Sequence, residues 1–470
     1  MTSVSGNGSV AGAVRHSLLA ARSFLLPLVV FAAAAWALLG QVTRVGYNTD
    51  EGQHIATAGY FDVVFLHGQL SGPPWEEIYW TLTQPTIPRF ILGAAIRLSG
   101  SPVPPLDLEH RIDEAHGPNR ERYLDPSYYR DERRLAEARR IDRPSAAVLQ
   151  AGRTPMALFG AGAALLLFLI GRTLSGPVGG LVAAAGLLAT PLAFQLLPRA
   201  HAEGPLIFFT LLGLYLAILA SRAAAGPDPS RYLLLGALAG IVTGLAAATK
   251  LTALLGTAAL GGLAIWAFSL RRLAAGTPGA RAVSDRTWRW AALAAILSLV
   301  VFVGVNPFLW PNPVQRTLAM LQFRQQEVVG QRALNEDLAV PDHLPTRVGL
   351  LLSETFVQQM PISRWTDVPL EAALVLIGAG ALAWGALRSR DGGGLVGPAA
   401  LTLAWVVVFL AGTAPNLGID WARYYLPTLS LGLILVGVGA DVLVGASGRA
   451  WRRWRQRRPA QERATAAASS

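Results

Sequence analysis

The chain has 470 residues, of which 52% are hydrophobic and only 15% are charged, and its mean hydropathy is +0.40. This composition excludes a soluble globular fold, whose surface needs more charged residues. The absence of cysteine excludes disulfides, thiolate metal sites and cysteine nucleophiles. The net charge of +11 comes largely from arginines in short loops and at the C-terminus, a pattern typical of topology signals and anionic-lipid attraction rather than nucleic-acid binding.

Ten apolar runs are long enough to cross a bilayer. They lie at about 24–40, 147–170, 178–197, 204–221, 232–249, 251–270, 290–308, 369–387, 397–412 and 424–445. With a cytoplasmic N-terminus, every short arginine-rich loop lies on the inner side. The sequence therefore predicts an all-α polytopic membrane protein of about ten transmembrane helices in the inner or plasma membrane, with both termini cytoplasmic.

Two longer segments lie on the predicted outer face. The first, 41–146, contains the amphipathic stretch IPRFILGAAIRLSG and a mixed-charge run at 107–143, whose spacing is typical of a solvated helix. The second, 309–368, contains NPVQRTLAMLQFRQQEVVGQ, which predicts a helix in the membrane interface. The predicted units are a cytoplasmic N-terminus (1–23), a transmembrane catalytic module (24–308), the second outer segment (309–368), C-terminal transmembrane helices (369–446) and a basic cytoplasmic tail (447–470).

Ionisable residues at membrane level are costly, and several that converge indicate a site. The unusual polar residues of this chain all fall at the predicted outer face. They are Asp50, Glu51, His54, Gln84, Arg89, Arg199, His201, Glu203, Lys250, Arg423 and Tyr424. Each alone has a simpler explanation, such as a snorkelling Lys250 or an aromatic anchor at Tyr424. Together they predict one site on the extracytoplasmic side.

Such a set suits the transfer of a group from a lipid-linked phosphate donor. The polyprenyl chain of the donor stays in the bilayer, so cations are needed at the interface to hold the phosphate and to stabilise it as a leaving group. The cations available are Arg89, Arg199, Lys250 and Arg423. Asp50 and Glu51 supply two carboxylates, one to take a proton from the acceptor and one to orient the acceptor or share a divalent cation.

These residues resemble those of the GT-C class of membrane glycosyltransferases, in particular the protein O-mannosyltransferase and aminoarabinose transferase superfamily. Five segments carry the resemblance in order: YNTDEGQHIATAGYF, TQPTIPRFILG, PRAHAEGPLIFFTLLGLYLA, GLAAATKLTALL and WARYYLPTLSLGLIL. The first resembles the family's Asp-Glu motif, which implies Asp50 as catalytic base and Glu51 as its partner. The second departs from the family, because Gln84 stands where His is common and Arg89 where Lys is common.

The resemblance implies a GT-C-like fold and an inverting transfer without a covalent enzyme intermediate. A sugar on polyprenyl phosphate is attacked at its anomeric carbon by a protein, lipid or glycan acceptor that Asp50 activates. The supporting residues are His54, Gln84, His201, Glu203 and Tyr424. No cofactor is implied with certainty, and a divalent cation stays open. The expected partners are the lipid-linked donor, the acceptor and membrane lipids, without nucleic acid.

Three other functions fit parts of the sequence. An oligosaccharide ligase or polymerase of the cell envelope shares the outer-face arrangement, and the segment 309–368 keeps it open, although the early Asp-Glu loop counts against it. A transporter of lipid-linked sugars needs polar residues inside the spans, whereas several spans here are almost uniformly Ala, Leu, Gly and Val. A catalytically inactive scaffold is disfavoured by the intact Asp50, Glu51, Arg199 and Lys250.

Overall fold

The computed structural model describes residues 25–106, 143–226, 229–273, 277–388 and 394–468. The predicted N-terminal unit and nearly all of the mixed-charge run lie outside these described residues. Within them the chain is helical, and the strand contact that occurs is an isolated antiparallel bridge between Ala339 and Ile419. The predicted all-α fold class is confirmed for this part of the chain.

The helices follow one another without a sheet in the described ranges. In chain order they are α1 (Leu25–Leu39), α2 (Thr49–Ala56), α3 (Tyr79–Thr83), α4 (Ile87–Leu98), α5 (Ala146–Leu174), α6 (Pro177–Ala189), α7 (Pro191–Leu196), α8 (Glu203–Ala225), α9 (Tyr232–Ala247), α10 (Leu254–Leu273), α11 (Pro278–Gly304), α12 (Pro313–Leu334), α13 (Leu344–Ser353), α14 (Pro361–Thr366), α15 (Leu370–Arg388), α16 (Pro398–Thr413) and α17 (Leu426–Ala468). Short 3-10 and π turns join several of them.

Seven of the described helices are long and apolar enough to cross a membrane: α5, α8, α10, α11, α15, α16 and α17. Three shorter apolar helices, α1, α6 and α9, add to them. Each of these ten helices overlaps one predicted span. The structure divides the predicted span 178–197 between α6 and α7, and it begins α11 at Pro278 rather than at 290. That all ten cross the bilayer, and that both termini are cytoplasmic, stay predictions.

Local sequence explains where the helices begin. Proline in the first turn, where no backbone N–H is needed, starts α6, α11 and α16 among others. Ser145 caps α5, because its hydroxyl accepts the N–H of Val148. Asn48 caps α2 through a capping box, in which its side chain accepts the N–H of Asp50 and its own N–H donates to Glu51. This cap orients the two adjacent carboxylates.

Small residues let the apolar helices approach closely, which is typical of membrane bundles. Gly236, Gly240 and Gly244 form one face of α9 that lies against α11. A Cβ at Gly240 would come within 2.4 Å of the carbonyl oxygen of Ala294. A larger side chain at this position would therefore push the two helices apart.

Hydrogen bonds between residues at or near helix ends fall into two groups, one at each end of the bundle. At one end, which we call the outer end because the two predicted outer segments lie there, the N–H of Ile87 donates to Ala248 O over 3.1 Å and the N–H of Val340 donates to Gly418 O over 3.0 Å. At the opposite end, Ser221 Oγ donates to Val396 O over 2.9 Å. The turns thus meet in two groups, as the predicted topology requires.

The predicted interfacial helix forms as α12, and the amphipathic stretch of the first outer segment forms as α4. Val314, Leu318 and Leu321 are exposed along α12, whereas Phe323 is buried. An exposed apolar face next to a buried one is what a helix in the membrane interface needs. Its placement in the interface stays a prediction.

Candidate active site

The outer end of the bundle brings together polar side chains from distant parts of the chain. They are Asp50, Glu51 and His54 on α2, Arg153 on α5, Arg199 and His201 in the turn between α7 and α8, Glu203 at the start of α8, Lys250 after α9, and Arg423 and Tyr424 before α17. Direct contacts link most of these groups, so the predicted convergence on one end occurs in the structure.

Glu51 is buried with every oxygen occupied. Its side chain is 0% exposed, and Oε1 accepts hydrogen bonds from Arg153 Nε at 2.7 Å and from the N–H of Ala200 at 2.9 Å. Oε2 accepts from Arg153 Nη2 at 2.6 Å and from the N–H of Asn48 at 3.1 Å. Arg199 Nη1 lies 3.9 Å from the same oxygen. Glu51 therefore ties α2 to α5 and to the turn before α8.

Arg153 is a residue of this site that the sequence analysis missed. Its Nη1 donates to the carbonyl oxygens of Val42 and Val45 at 2.8 Å each, and its Nη2 donates to Gly46 O at 3.2 Å. One guanidinium thus orders the whole chain segment that leads into α2. The signal was a single arginine in an otherwise apolar predicted span, since an isolated charge at membrane level needs a partner.

Asp50 has the opposite environment. Its side chain is 31% exposed, and its bonded side-chain partner is Arg423, which donates to Oδ2 through Nη1. The Arg423 guanidinium lies 4.5 Å from the ring centre of Trp421 and 5.8 Å from that of Tyr424. Asp50 is therefore an accessible carboxylate beside a cation that aromatic rings hold in place.

A second ion pair lies in the same site. Lys250 Nζ is 3.0 Å from Glu203 Oε1, with the lysine side chain 27% exposed and the glutamate almost fully buried. Lys250 Nζ also lies 5.8 Å from the ring centre of Tyr424, the ring that Arg423 contacts as well. Tyr424 therefore stands between the two exposed cations of the site.

The two histidines of the site pair with each other. The ring centres of His54 and His201 are 5.4 Å apart, and both side chains are buried. His201 Nδ1 lies 3.6 Å from Glu203 Oε2, which is too long for a hydrogen bond. His54 Nδ1 and both ring nitrogens of His201 are buried without a hydrogen-bond partner among the described residues.

The protonation of the two carboxylates follows from these neighbours. Burial would raise the pKa of Asp50, but the charge of Arg423 and its hydrogen bond to the carboxylate lower it below its ordinary value. Burial would likewise raise the pKa of Glu51, but the hydrogen bond from Arg153 and the one from the N–H of Ala200 lower it. Both carboxylates are therefore ionised at neutral pH.

Arg89 and Gln84 do not join this group by direct contact. Arg89 is 1% exposed, and its Nη2 donates to Trp80 O and to Gln84 O, the latter at 2.8 Å. Its guanidinium lies 4.6 Å from the ring centre of Tyr60, and burial lowers the pKa of Arg89 to about 10. Among the described residues no ion pair links Arg89 to a carboxylate. Its role in phosphate binding stays a prediction.

A network that the sequence analysis did not single out joins the second outer segment to the site. Arg324 on α12 donates to Tyr424 Oη at 2.6 Å and forms an ion pair with buried Glu327. Tyr79 on α3 donates to Glu327 Oε1 at 3.2 Å. The residues were missed because the apolar spacing of this helix, rather than its charges, carried the prediction.

A metal site would need several carboxylates or histidines directed at one point. In the parts of the chain that the structure describes, no group of three or more His, Asp or Glu side chains is arranged to hold a metal ion. Asp50 and Glu203 each pair with a cation instead.

Part of the chain matches a known protein family, and its fold is similar to that of solved structures. The family model for dolichyl-phosphate-mannose-protein mannosyltransferase matches residues 144–312. No curated protein matches the chain at a significant level. A structure of the Archaeoglobus fulgidus oligosaccharyltransferase tethered with an acceptor peptide containing the NVT sequon is similar with a TM-score of 0.52 and 13% identity, over 91% of this chain and 50% of that chain.

Two further solved structures are similar. Archaeal oligosaccharyltransferase AglB from Archaeoglobus fulgidus, in complex with an inhibitory peptide and a dolichol-phosphate, has a TM-score of 0.50 and 12% identity, over 92% of this chain and 52% of that chain. ArnT from Cupriavidus metallidurans bound to undecaprenyl phosphate has a TM-score of 0.47 and 16% identity, over 88% of this chain and 60% of that chain. The chain thus spans less than two thirds of each of these proteins.

At such low identity a similar structure shows the fold. The oligosaccharyltransferase matches cover almost the whole chain, and the family match covers the segment with Arg153, Arg199, Glu203 and Lys250. The resemblance predicted from the sequence is confirmed: the chain has a GT-C-like fold, and its residues 144–312 match the family model for dolichyl-phosphate-mannose-protein mannosyltransferase.

Proposed function

We propose that the chain is a membrane glycosyltransferase, which moves a sugar from a polyprenyl-phosphate donor to an extracytoplasmic acceptor and inverts the anomeric carbon. One observation carries the proposal: of two adjacent carboxylates, Glu51 is buried and saturated, whereas Asp50 is accessible and faces Arg423. An accessible base beside a cation is the arrangement that transfer from a phosphate leaving group needs.

The donor phosphate would bind to the exposed cations. Arg423 is 25% exposed and Lys250 is 27% exposed, on either side of Tyr424. Arg199, at 16% exposed, has a side-chain nitrogen without a hydrogen-bond partner among the described residues. These three cations would hold a phosphate at the outer end while its polyprenyl chain stays in the bilayer. The donor class agrees with the dolichol-phosphate bound in the similar oligosaccharyltransferase structure.

The reaction then needs one proton transfer and one displacement. The acceptor hydroxyl oxygen forms a bond to the anomeric carbon while Asp50 takes the hydroxyl proton. The bond between the anomeric carbon and the phosphate oxygen breaks, and its electron pair leaves with the polyprenyl phosphate. Arg423 and Lys250 stabilise the charge that develops on this leaving group. Phosphate binding to Arg423 also weakens its hold on Asp50, which makes the carboxylate a better base.

Chemistry at one end also agrees with the distribution of buried charges. Among the described residues, every buried Asp, Glu, Arg or Lys side chain lies in the outer segments or near the outer ends of spans: Glu51, Arg89, Arg153, Glu203, Glu327 and Glu371. The buried polar side chains elsewhere in the spans are mostly hydroxyls. Transport of a charged lipid headgroup through the bundle needs polar groups along the path. The distribution therefore favours transfer over transport.

Complementation tests the proposal without knowledge of the sugar. Mass spectrometry of lipid and protein glycosylation, in cells with the gene deleted, identifies the glycoform that the chain makes. Asp50→Asn should restore about 1% of it or less, because loss of a general base costs about 10²-fold to 10⁴-fold in rate. The control is Asp62→Asn, which removes a carboxylate paired with the exposed Arg97 and should restore the glycoform fully. Restoration by Asp50→Asn at equal protein abundance would refute the proposal.

A further inference from the structure

Three buried nitrogens at the candidate active site lack any partner among the described residues: His54 Nδ1 and both ring nitrogens of His201. The two side chains are 8% and 2% exposed. A buried polar atom without a hydrogen bond destabilises the fold. Two imidazoles in contact, with three such atoms between them, therefore indicate a ligand that supplies the missing hydrogen bonds.

The position of the pair relates it to the reacting atoms. His54 follows Asp50 by four residues on α2, so the two side chains lie on the same helical face. His201 follows Arg199 in the turn before α8, and its Nδ1 is 3.6 Å from Glu203 Oε2. The pair thus lies between the Asp50–Arg423 and Glu203–Lys250 ion pairs. In the proposed reaction the sugar lies between Asp50 and the cations, and therefore next to these rings.

The protonation state of the two histidines limits which ligands can form hydrogen bonds to both of them. Burial, followed by the charge of His201, lowers the pKa of His54 to about 3. Burial also lowers the pKa of His201. Both rings are therefore neutral at neutral pH, and each neutral imidazole has one N–H donor and one acceptor nitrogen. Hydroxyl groups match this pattern, because each hydroxyl both donates and accepts.

Other ligands fit the pair less well. A phosphate has only acceptor oxygens when it is ionised, so it leaves the acceptor nitrogens unmatched and prefers Arg423 and Lys250. An ammonium group has only donors, so it leaves the N–H groups of the two imidazoles unmatched. A metal ion needs a third ligand, and no suitable group of three occurs among the described residues.

We propose that His54 and His201 bind neighbouring hydroxyl groups of the donor sugar, and that they thereby select an uncharged sugar with a vicinal diol. The inference rests on the proposed glycosyl transfer and adds the substrate class of the same site. Binding of the sugar satisfies the partnerless nitrogens, whereas the cations bind the phosphate. The affinity for the sugar and the affinity for the phosphate therefore depend on different side chains.

Equilibrium binding to the full chain in lipid nanodiscs tests this separation. The probes are undecaprenyl phosphate alone and undecaprenyl phosphate that carries mannose, glucose, galactose, arabinose or 4-amino-4-deoxyarabinose. We expect at least one neutral-sugar lipid to bind about tenfold or more tightly than undecaprenyl phosphate, since each satisfied buried hydrogen bond is worth about a factor of ten. His54→Phe and His201→Phe should lose this gain and keep the undecaprenyl-phosphate Kd within about twofold.

Two controls separate the proposal from a structural role. His67→Phe changes an exposed histidine of the same outer segment and should leave every Kd unchanged. The Tm of His201→Phe should not be lower than that of the wild type, because the substitution removes buried polar atoms that lack partners. His201→Asn, which keeps a donor and an acceptor, should recover part of the gain.

Four results would overturn the proposal. They are a gain that survives in both Phe variants, an equal loss for undecaprenyl phosphate and the sugar-linked lipids, tightest binding of the aminoarabinose lipid, and binding of Zn²⁺ or Mn²⁺ alone that the His54 and His201 variants abolish. Failure of the proposed function gives a different result, since the wild type would then bind neither undecaprenyl phosphate nor any sugar-linked form.

Discussion

Asp50 and Glu51 are neighbours on α2, but their surroundings differ in every respect that matters for chemistry. Glu51 is fully buried and accepts four hydrogen bonds, two of them from Arg153. Asp50 is partly exposed and pairs with Arg423, which is itself partly exposed. A saturated buried carboxylate fixes the backbone around it, whereas an accessible one can exchange its partner for a substrate. One helix turn therefore holds both a carboxylate that stabilises the site, Glu51, and a carboxylate that can react, Asp50.

The same contrast extends to the cations. Arg153 is 3% exposed and also binds backbone carbonyls, so its position is set by the fold. Arg423 and Lys250 are about a quarter exposed and contact the ring of Tyr424. A phosphate can therefore approach Arg423 and Lys250 but not Arg153. Substitutions at Glu51, Arg423 and Asp50 test this division between supporting and reactive charges.

The largest expected effect is on stability at Glu51. Glu51→Gln leaves Arg153 with an uncompensated buried charge, and removal of one partner of a buried ion pair costs about 3–5 kcal/mol. We expect that loss in the free energy of unfolding of the purified protein in detergent. Asp62→Asn serves as the control, because its partner Arg97 is exposed and an exposed ion pair contributes little to stability. Equal losses in the two variants would contradict a supporting role for Glu51.

The pH dependence of this stability follows from the pKa of Glu51. Because the folded-state pKa is lowered below the unfolded value, the stabilisation is fully present above the unfolded pKa. It is lost as the pH falls through the lowered folded pKa. The stability difference between wild type and Glu51→Gln should therefore shrink on acidification.

Much of this arrangement was predictable from the sequence. The lengths of the apolar runs and the arginine-rich loops indicate which helix ends share a side of the membrane. That pattern placed all of these charged residues on one face without pairing them. The structure adds the pairs, because it joins Glu203 to Lys250 and Asp50 to Arg423. The helices themselves follow from composition and from proline or capping residues at their starts, which local sequence reveals.

The distinction between the two carboxylates was not predictable. Adjacent residues of a helix point about 100° apart, and which one is buried depends on the partner that packs against it. That partner is Arg153, which lies 102 residues further along the chain within a predicted span. The link from Arg324 to Tyr424 spans 100 residues in the same way. Local patterns carry no information about such distant pairs.

The next expected effect is a shift in the pH dependence of activity. Arg423→Gln removes the charge that lowers the pKa of Asp50, and burial then raises that pKa. An arginine beside an aspartate favours the ionised carboxylate and so lowers its pKa. We therefore expect the acidic limb of the kcat/KM profile to move to higher pH, because Asp50 must be ionised to act as a base. The kcat/KM profile of Arg423→Lys, which keeps the charge, should stay closer to that of the wild type.

One result would contradict the assignment of Asp50 as the base. Loss of Arg423 also weakens phosphate binding, which lowers activity at every pH without moving the limb. A uniform loss with an unchanged acidic limb would therefore show that Asp50 is not the titrating base, and the assignment of the two carboxylates would have to be exchanged.

The smallest expected effect is the change in stability on loss of the reactive carboxylate itself. Asp50→Asn leaves Arg423 partly exposed and still in contact with the rings of Trp421 and Tyr424, so its charge remains solvated and supported. A partly exposed ion pair contributes about 0–1 kcal/mol, and the free energy of unfolding of Asp50→Asn should change by no more than that. Measured beside Glu51→Gln in the same detergent, a loss as large as that of the Glu51 variant would show that both carboxylates support the fold. A small loss together with an inactive enzyme is what an accessible base at Asp50 requires.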